Sequence, residues 1–82
     1  MKKPEVGDRV WKEGRQWKSA SGMLQMCANG IITQIITEDR DDPDADIEEV
    51  WVSFPDGEVD TYQGDYFDIF NDRLETWMIY QR

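Results

Sequence analysis

The clearest periodicity in the chain lies at residues 50 to 54, where Val50, Val52 and Phe54 alternate with Trp51 and Ser53. A period of two is that of a strand with one face buried. Pro55, Asp56 and Gly57 follow as turn formers, so the chain reverses there and residues 58 to 62 return as the partner strand of a hairpin. Upstream, Gly30-Ile31-Ile32-Thr33-Gln34-Ile35-Ile36-Thr37 is dense in β-branched side chains, whose stiff χ1 favours extended backbone. Its paired isoleucines predict burial on both faces, or a bulge that switches sides. Val6 to Lys12 reads as a turn at Gly7-Asp8 feeding a first strand, with Val10 facing away from Arg9 and Trp11.

Between these runs the polar stretches read as connections. Residues 13 to 22 hold two glycines and small polar residues, the composition of a long loop anchored by Trp17. Met23 to Ala28 is an apolar patch of no definite type, and Glu38 to Asp46 is a charged loop broken by Pro43. Residues 63 to 73 mix aromatics with turn formers, which predicts a 3₁₀ or helical turn that tucks Phe67, Ile69 or Phe70 under the sheet. Leu74 to Tyr80 then closes the chain as a last strand. Five strands, one long early loop and no long helix predict a mainly β fold of small-barrel type, as one domain over residues 1–82.

Length makes the aromatics important. A chain of 82 residues supports one small core, and each aromatic side chain buries roughly 150–250 Å². Four Trp, three Tyr and three Phe are available for it. The lone Cys27 has no partner for an internal disulfide and reads as a small buried hydrophobe; with no histidine present, a structural zinc set is not expected. No apolar run approaches the ~18 residues of a membrane span, and the Met1-Lys2-Lys3-Pro4 start lacks a signal-peptide core, so a cytoplasmic location and no membrane partner are expected.

Charge narrows the partners. A formal net charge of −9 and a pI near 4.2 argue against direct nucleic-acid binding, which relies on an excess of Lys and Arg. The charge is also uneven. Residues 1 to 20 carry six basic against three acidic side chains, and residues 21 to 82 carry three against fifteen. Either the basic segment pairs with acidic strands inside the fold, or the molecule has two faces of opposite sign.

The strand opening Val6-Gly7-Asp8-Arg9-Val10, the spacing Gly30, Ile32, Ile35 and the hairpin Val50, Val52, Phe54, Asp56, Gly57 together resemble the SH3-like barrel modules of the KOW and Tudor kind. The resemblance covers residues 6 to 62 and implies a five-stranded barrel. It departs from the RNA-binding branch in the sign of its charge, and from typical modules in the longer connection at residues 13 to 29. That fold hosts RNA, methylated-peptide and proline-rich-peptide binding as well as structural roles, so function must come from the site.

Two constellations stand out. If Val10, Val52 and Val59 face the core, Trp11, Trp51 and Tyr62 point the other way, joined by Tyr66. Beside Asp60 and Asp65 they would seat a cation or a basic peptide, as the Tudor resemblance also implies; the competing reading is a second small core under the long loop. The acidic loop Asp41, Asp42, Asp44, Asp46 begins like a calcium loop, but Ile47 and Ser53 stand where that loop needs Gly and Glu, which favours a solvated loop and no metal. No cofactor is expected. Catalysis is not expected either, since Ser19, Ser21 and Ser53 have no evident base. The expectation is a non-catalytic module binding a protein partner with a basic surface. Its alternatives are an acidic nucleic-acid mimic of the kind phages encode against DNA- or RNA-handling enzymes, and a subunit of an obligate complex.

Overall fold

The β-branched run at 30–37 and the alternating run at 50–54 lie on adjacent strands in the computed structural model, which describes residues 2–80. The strands are β1 Arg9–Lys18, β2 Leu24–Thr37, β3 Ile47–Ser53, β4 Val59–Gln63, β5 Phe70–Asn71 and β6 Thr76–Ile79, with a 3₁₀ turn at Gly64–Phe67. They form one sheet in the order β4-β3-β2-β1-β6-β5. Strands β1 to β4 are an antiparallel meander. The fold is thus mainly β with a 3₁₀ turn before the last strand, but the sheet has six strands where five were expected. Its edges, β4 and β5, do not hydrogen-bond to each other. The extra strand arises because the chain leaves β4 through the 3₁₀ turn, reaches the opposite edge and reverses once more. That last reversal makes β6 parallel to β1.

The stretch at 13–22 is not a long loop. Most of it continues β1, and the apolar patch after it begins β2, so only Ser19–Met23 forms the turn, closed by Ser19 N to Met23 O at 3.0 Å. The glycine that reads as a loop signal marks a bulge instead. Between Glu13 and Trp17 the register steps by four residues on β1 against two on β2, and Gly14 takes the left-handed φ of 80° that this bulge requires. Trp17 does anchor the segment: half-buried against the core, it donates from Nε1 to the Cys27 carbonyl at 2.8 Å. Cys27 itself is only half-buried.

Strand β2 serves two partners, β1 with Leu24 to Ile31 and β3 with Ile31 to Thr37. A second bulge between Ile32 and Gln34 switches its faces, as one reading of the isoleucine pairs anticipated. Ile32 accordingly faces the core before the bulge and Ile35 packs against the core after it, while Ile31 is exposed. The core consists of Val10, Ala28, Ile32, Val50, Val52, Phe54, Phe67, Trp77 and Ile79. Phe67 is the residue the 3₁₀ turn buries; Ile69 is exposed and Phe70 packs at the margin. Trp77 lies between Phe67 and Phe70 with ring centroids 5.9 and 5.1 Å away, both edge-on. Its Nε1 donates to Asp8 Oδ2 at 3.1 Å, which ties β6 to the turn before β1. Among the described residues no helix is long and apolar enough to cross a membrane.

Candidate functional site

Strand β4 sets the site through its register. Pro55 to Gly57 form a three-residue turn, closed by Gly57 N to Phe54 O at 3.0 Å, and Ser53 then faces Val59, Val52 faces Asp60 and Val50 faces Tyr62. The expected phase is therefore inverted. Val59 is half exposed on the outer face, while Asp60 and Tyr62 share the core-facing side with Val52 and Val50. Apolarity alone had assigned Val59 to the core, but register outranks one side chain's hydrophobicity.

On that side the groups form a connected line. The bulge in β1 turns Arg15 toward the β3–β4 hairpin, where Nη2 lies 3.1 Å from Asp56 Oδ2 and 3.7 Å from Asp60 Oδ2. Its guanidinium sits 4.2 Å from the Phe54 ring centroid. Tyr62 Oη donates to Asp60 Oδ2 at 3.3 Å, and the Tyr62 ring meets Tyr66 edge-on at 5.8 Å and Phe67 at 6.4 Å. The 3₁₀ turn supplies Tyr66 and Asp65 immediately after β4. Of the six residues expected to cluster, Asp60, Tyr62 and Tyr66 are thus in contact, and Asp65 precedes Tyr66 on the same turn, at the edge of a neighbouring cleft. Trp11 and Trp51 are not part of this group: Trp11 lies on the outer face against Tyr80 at 6.0 Å, and Trp51 faces Gln34 and Thr61 on that same outer side. Arg15 and Asp56 complete the group and were not anticipated; the only sequence signal was an arginine directly after the bulge glycine.

The acidic loop is ordered by its own carboxylates. Asp39 Oδ1 accepts from Asp41 N at 3.0 Å and Asp42 Oδ1 from Asp44 N at 2.9 Å, the pattern of side-chain-capped turns. Asp41, Asp42, Asp44 and Asp46 are all exposed. Among the described residues no three acidic or thiol groups converge closely enough to hold a metal ion. Asp46 instead joins Asp65 and Asp68 around a cleft of about 470 Å³, whose other wall carries Lys2 and Lys3. The first reading of the uneven charge, pairing of the basic segment with carboxylates, finds instances. Arg15 and Lys2 pair with carboxylates, Lys2 with Asp8 at 3.5 Å. Arg9 and Arg73 stay on the outer face without an ion pair among the described residues.

Environment changes two titrations. Partial burial lowers the Lys12 ammonium pKa, against the opposing charges of Glu13 and Asp60. Burial, with the charge and hydrogen bond of Asp60 adding to it and Arg15 opposing, raises the Tyr62 hydroxyl to about 12. The folded chain thus holds this proton more tightly than the unfolded chain, where tyrosine titrates near ~10. The resulting stabilisation is complete below about pH 10 and is lost as pH rises through about 12. An absorbance titration of phenolate formation should show a step near pH 12 that Tyr62→Phe removes; a titration with no step above about pH 11 would contradict the Asp60–Tyr62 geometry.

No family model matches the chain, and no characterised protein or solved structure shows significant similarity to it.

Proposed function

We propose that the chain is a non-catalytic interaction module, an SH3-like barrel with one open seam, whose acidic and aromatic surface at β4 and the 3₁₀ turn receives a basic segment of another protein. The barrel reading is supported by the β1–β4 meander, by the long β2 shared between two partners, and by Arg15, which links β1 to the β3–β4 hairpin through side chains. The parallel β6 and the added β5 are its departures from that fold. The observation that carries the functional reading is the contact of half-exposed Tyr62 with Tyr66 and Asp60, next to Asp65 on a cleft where Asp46, Asp65 and Asp68 stand opposite Lys2 and Lys3. Carboxylates next to ring faces favour Lys or Arg side chains, and the ring area keeps affinity when salt screens the charges.

Nucleic-acid mimicry fits less well on charge density. A duplex as long as the molecule's 44 Å axis would carry about 26 negative charges at one per ~1.7 Å. The chain's net charge of −9 is about a third of that. Calorimetric titration with a lysine-rich peptide separates the readings. Asp60→Asn combined with Asp65→Asn should weaken binding about fivefold or more, Trp51→Ala should leave it unchanged, and measurable affinity should persist in half-molar salt, where the Debye length falls to about 4 Å. Affinity that collapses with salt and ignores the tyrosines would instead favour the mimic.

A further inference from the structure

One part of the sheet's outward face, short of Glu13 on β1 and Glu49 on β3, differs in character from the rest of the surface. Register places Thr76, Arg9, Ile31, Ser53 and Val59 in one row across β6, β1, β2, β3 and β4, and Met78, Trp11 and Asn29 in the next. None is acidic, in a chain with eighteen Asp and Glu. The β5–β6 turn adds Arg73 and Leu74, and with Arg9, Trp11 and Met78 they line a depression of about 580 Å³. A neighbouring depression of about 440 Å³ shares Arg9, Asn29 and Thr76 with it and runs on past Ile31 to Pro55, so the two form one trough.

Its apolar content is substantial. Leu74 is 53% exposed, and Ile31 and, beside Trp11, Tyr80 are each 43% exposed. Its charges are unspent. Arg9 Nη2 is held on the Leu74 carbonyl, and neither Arg9 nor Arg73 has a carboxylate within ion-pair distance among the described residues. Asp8, Asp72 and Glu75 share a further depression with Arg9, beyond ion-pair distance from it. An occupant must therefore bring both negative charge and apolar surface. A nucleic acid brings a dense row of phosphates that the overall −9 charge repels. A short peptide brings one or two carboxylates and a hydrophobic anchor.

We infer that the trough between Arg9, Arg73, Trp11, Leu74 and Met78 is a second docking site, for an acidic segment of a partner protein that carries apolar side chains beside its carboxylates. Apolar contact supplies affinity there, and the two arginines select the sign of the ligand. The site is independent of the acidic surface at β4, which lies at the opposite edge of the sheet.

Amide-correlation NMR of the full chain tests it with three synthetic hexamers: glutamate alternating with leucine and phenylalanine, its lysine-for-glutamate counterpart, and hexaglutamate. The first should shift Trp11, including its indole N–H, together with Ile31, Arg73, Leu74 and Met78. Arg73→Glu should weaken it about tenfold or more, and Leu74→Ser by several-fold, each with an otherwise unchanged spectrum. Three results would each overturn the inference: no shifts on this face, equal binding of hexaglutamate or of oligothymidylate there, or shifts on this face that grow with protein concentration alone, which would make the occupant a second copy. The lysine hexamer should leave this face unshifted whether or not it binds at β4, and lysine-hexamer shifts on this face equal to those of the glutamate peptide would also overturn the inference.

Discussion

Replacing Trp77 with alanine is expected to remove a large share of the chain's stability. The ring is among the largest fully buried side chains, edge-on to both Phe67 and Phe70, and its indole N–H is the link to Asp8 across 69 residues of chain. Truncating a buried Trp costs about 3–5 kcal/mol in lost transfer energy and residual cavity. Leaving the Asp8 carboxylate without that donor adds to the loss, although Glu5 N and Lys2 still contact it. A domain of this size has only about 4–12 kcal/mol to lose. Trp11→Ala is the control, because that ring sits half-buried on the outer face against Tyr80 and should cost about 1 kcal/mol. Urea denaturation checks the contrast. Trp77→Ala should lower the midpoint by several molar, given a slope of about 1 kcal/mol/M. Equal shifts for the two variants would show that the core is not centred on β6.

Gly64→Ala is the second large effect, and it bears on the site directly. A Cβ at Gly64 would collide with the backbone oxygen of Ile47, at the start of β3. A flexible side chain could swing away from such a contact, whereas a strand carbonyl cannot move without disturbing the ladder. Overpacking typically costs 1–3 kcal/mol. Against backbone the upper end applies, so about 3 kcal/mol is expected. The displacement falls on the 3₁₀ turn, which places Phe67 in the core and Tyr66 against Tyr62. The variant should therefore lose stability and also bind the lysine-rich peptide several-fold more weakly where it remains folded. Gly57→Ala, in a turn with open space around the new methyl, should lose some stability through its φ of 87° while leaving binding intact. Wild-type stability for Gly64→Ala would contradict the close packing of the turn on β3.

What could be read from residues alone follows the range of the interactions. The hairpin at 50–62 was legible because a period of two and the turn chemistry of Pro55-Asp56-Gly57 act within a few residues. The burial of an apolar side chain from the following turn was legible for a similar reason, but only as a choice among Phe67, Ile69 and Phe70, which the fold settles on Phe67. The phase of β4 was not, because a single apolar residue, Val59, was weighed against a register that only the turn and the β3 ladder determine. Gly14 signals an irregularity, and composition cannot say whether that is a loop or a bulge within a strand. The Arg15–Asp56 contact spans 41 residues, and the parallel pairing of β6 with β1 joins distant segments of the chain. Neither leaves a local mark. For the proposed site, composition pointed to acidic and aromatic residues as types, and only the folded register separated Trp11 and Trp51 from the Asp60, Tyr62, Asp65 and Tyr66 group.

The central claim is that this group forms one surface for a basic ligand, and a mapped NMR titration with the lysine, leucine and phenylalanine hexamer tests it most directly. The account predicts saturable shifts at Asp60, Tyr62, Asp65 and Tyr66, extending to Asp46 across the cleft, with Trp11 and Trp51 undisturbed. Saturable shifts confined to Trp11 or Trp51, or none at the β4 group, would contradict it.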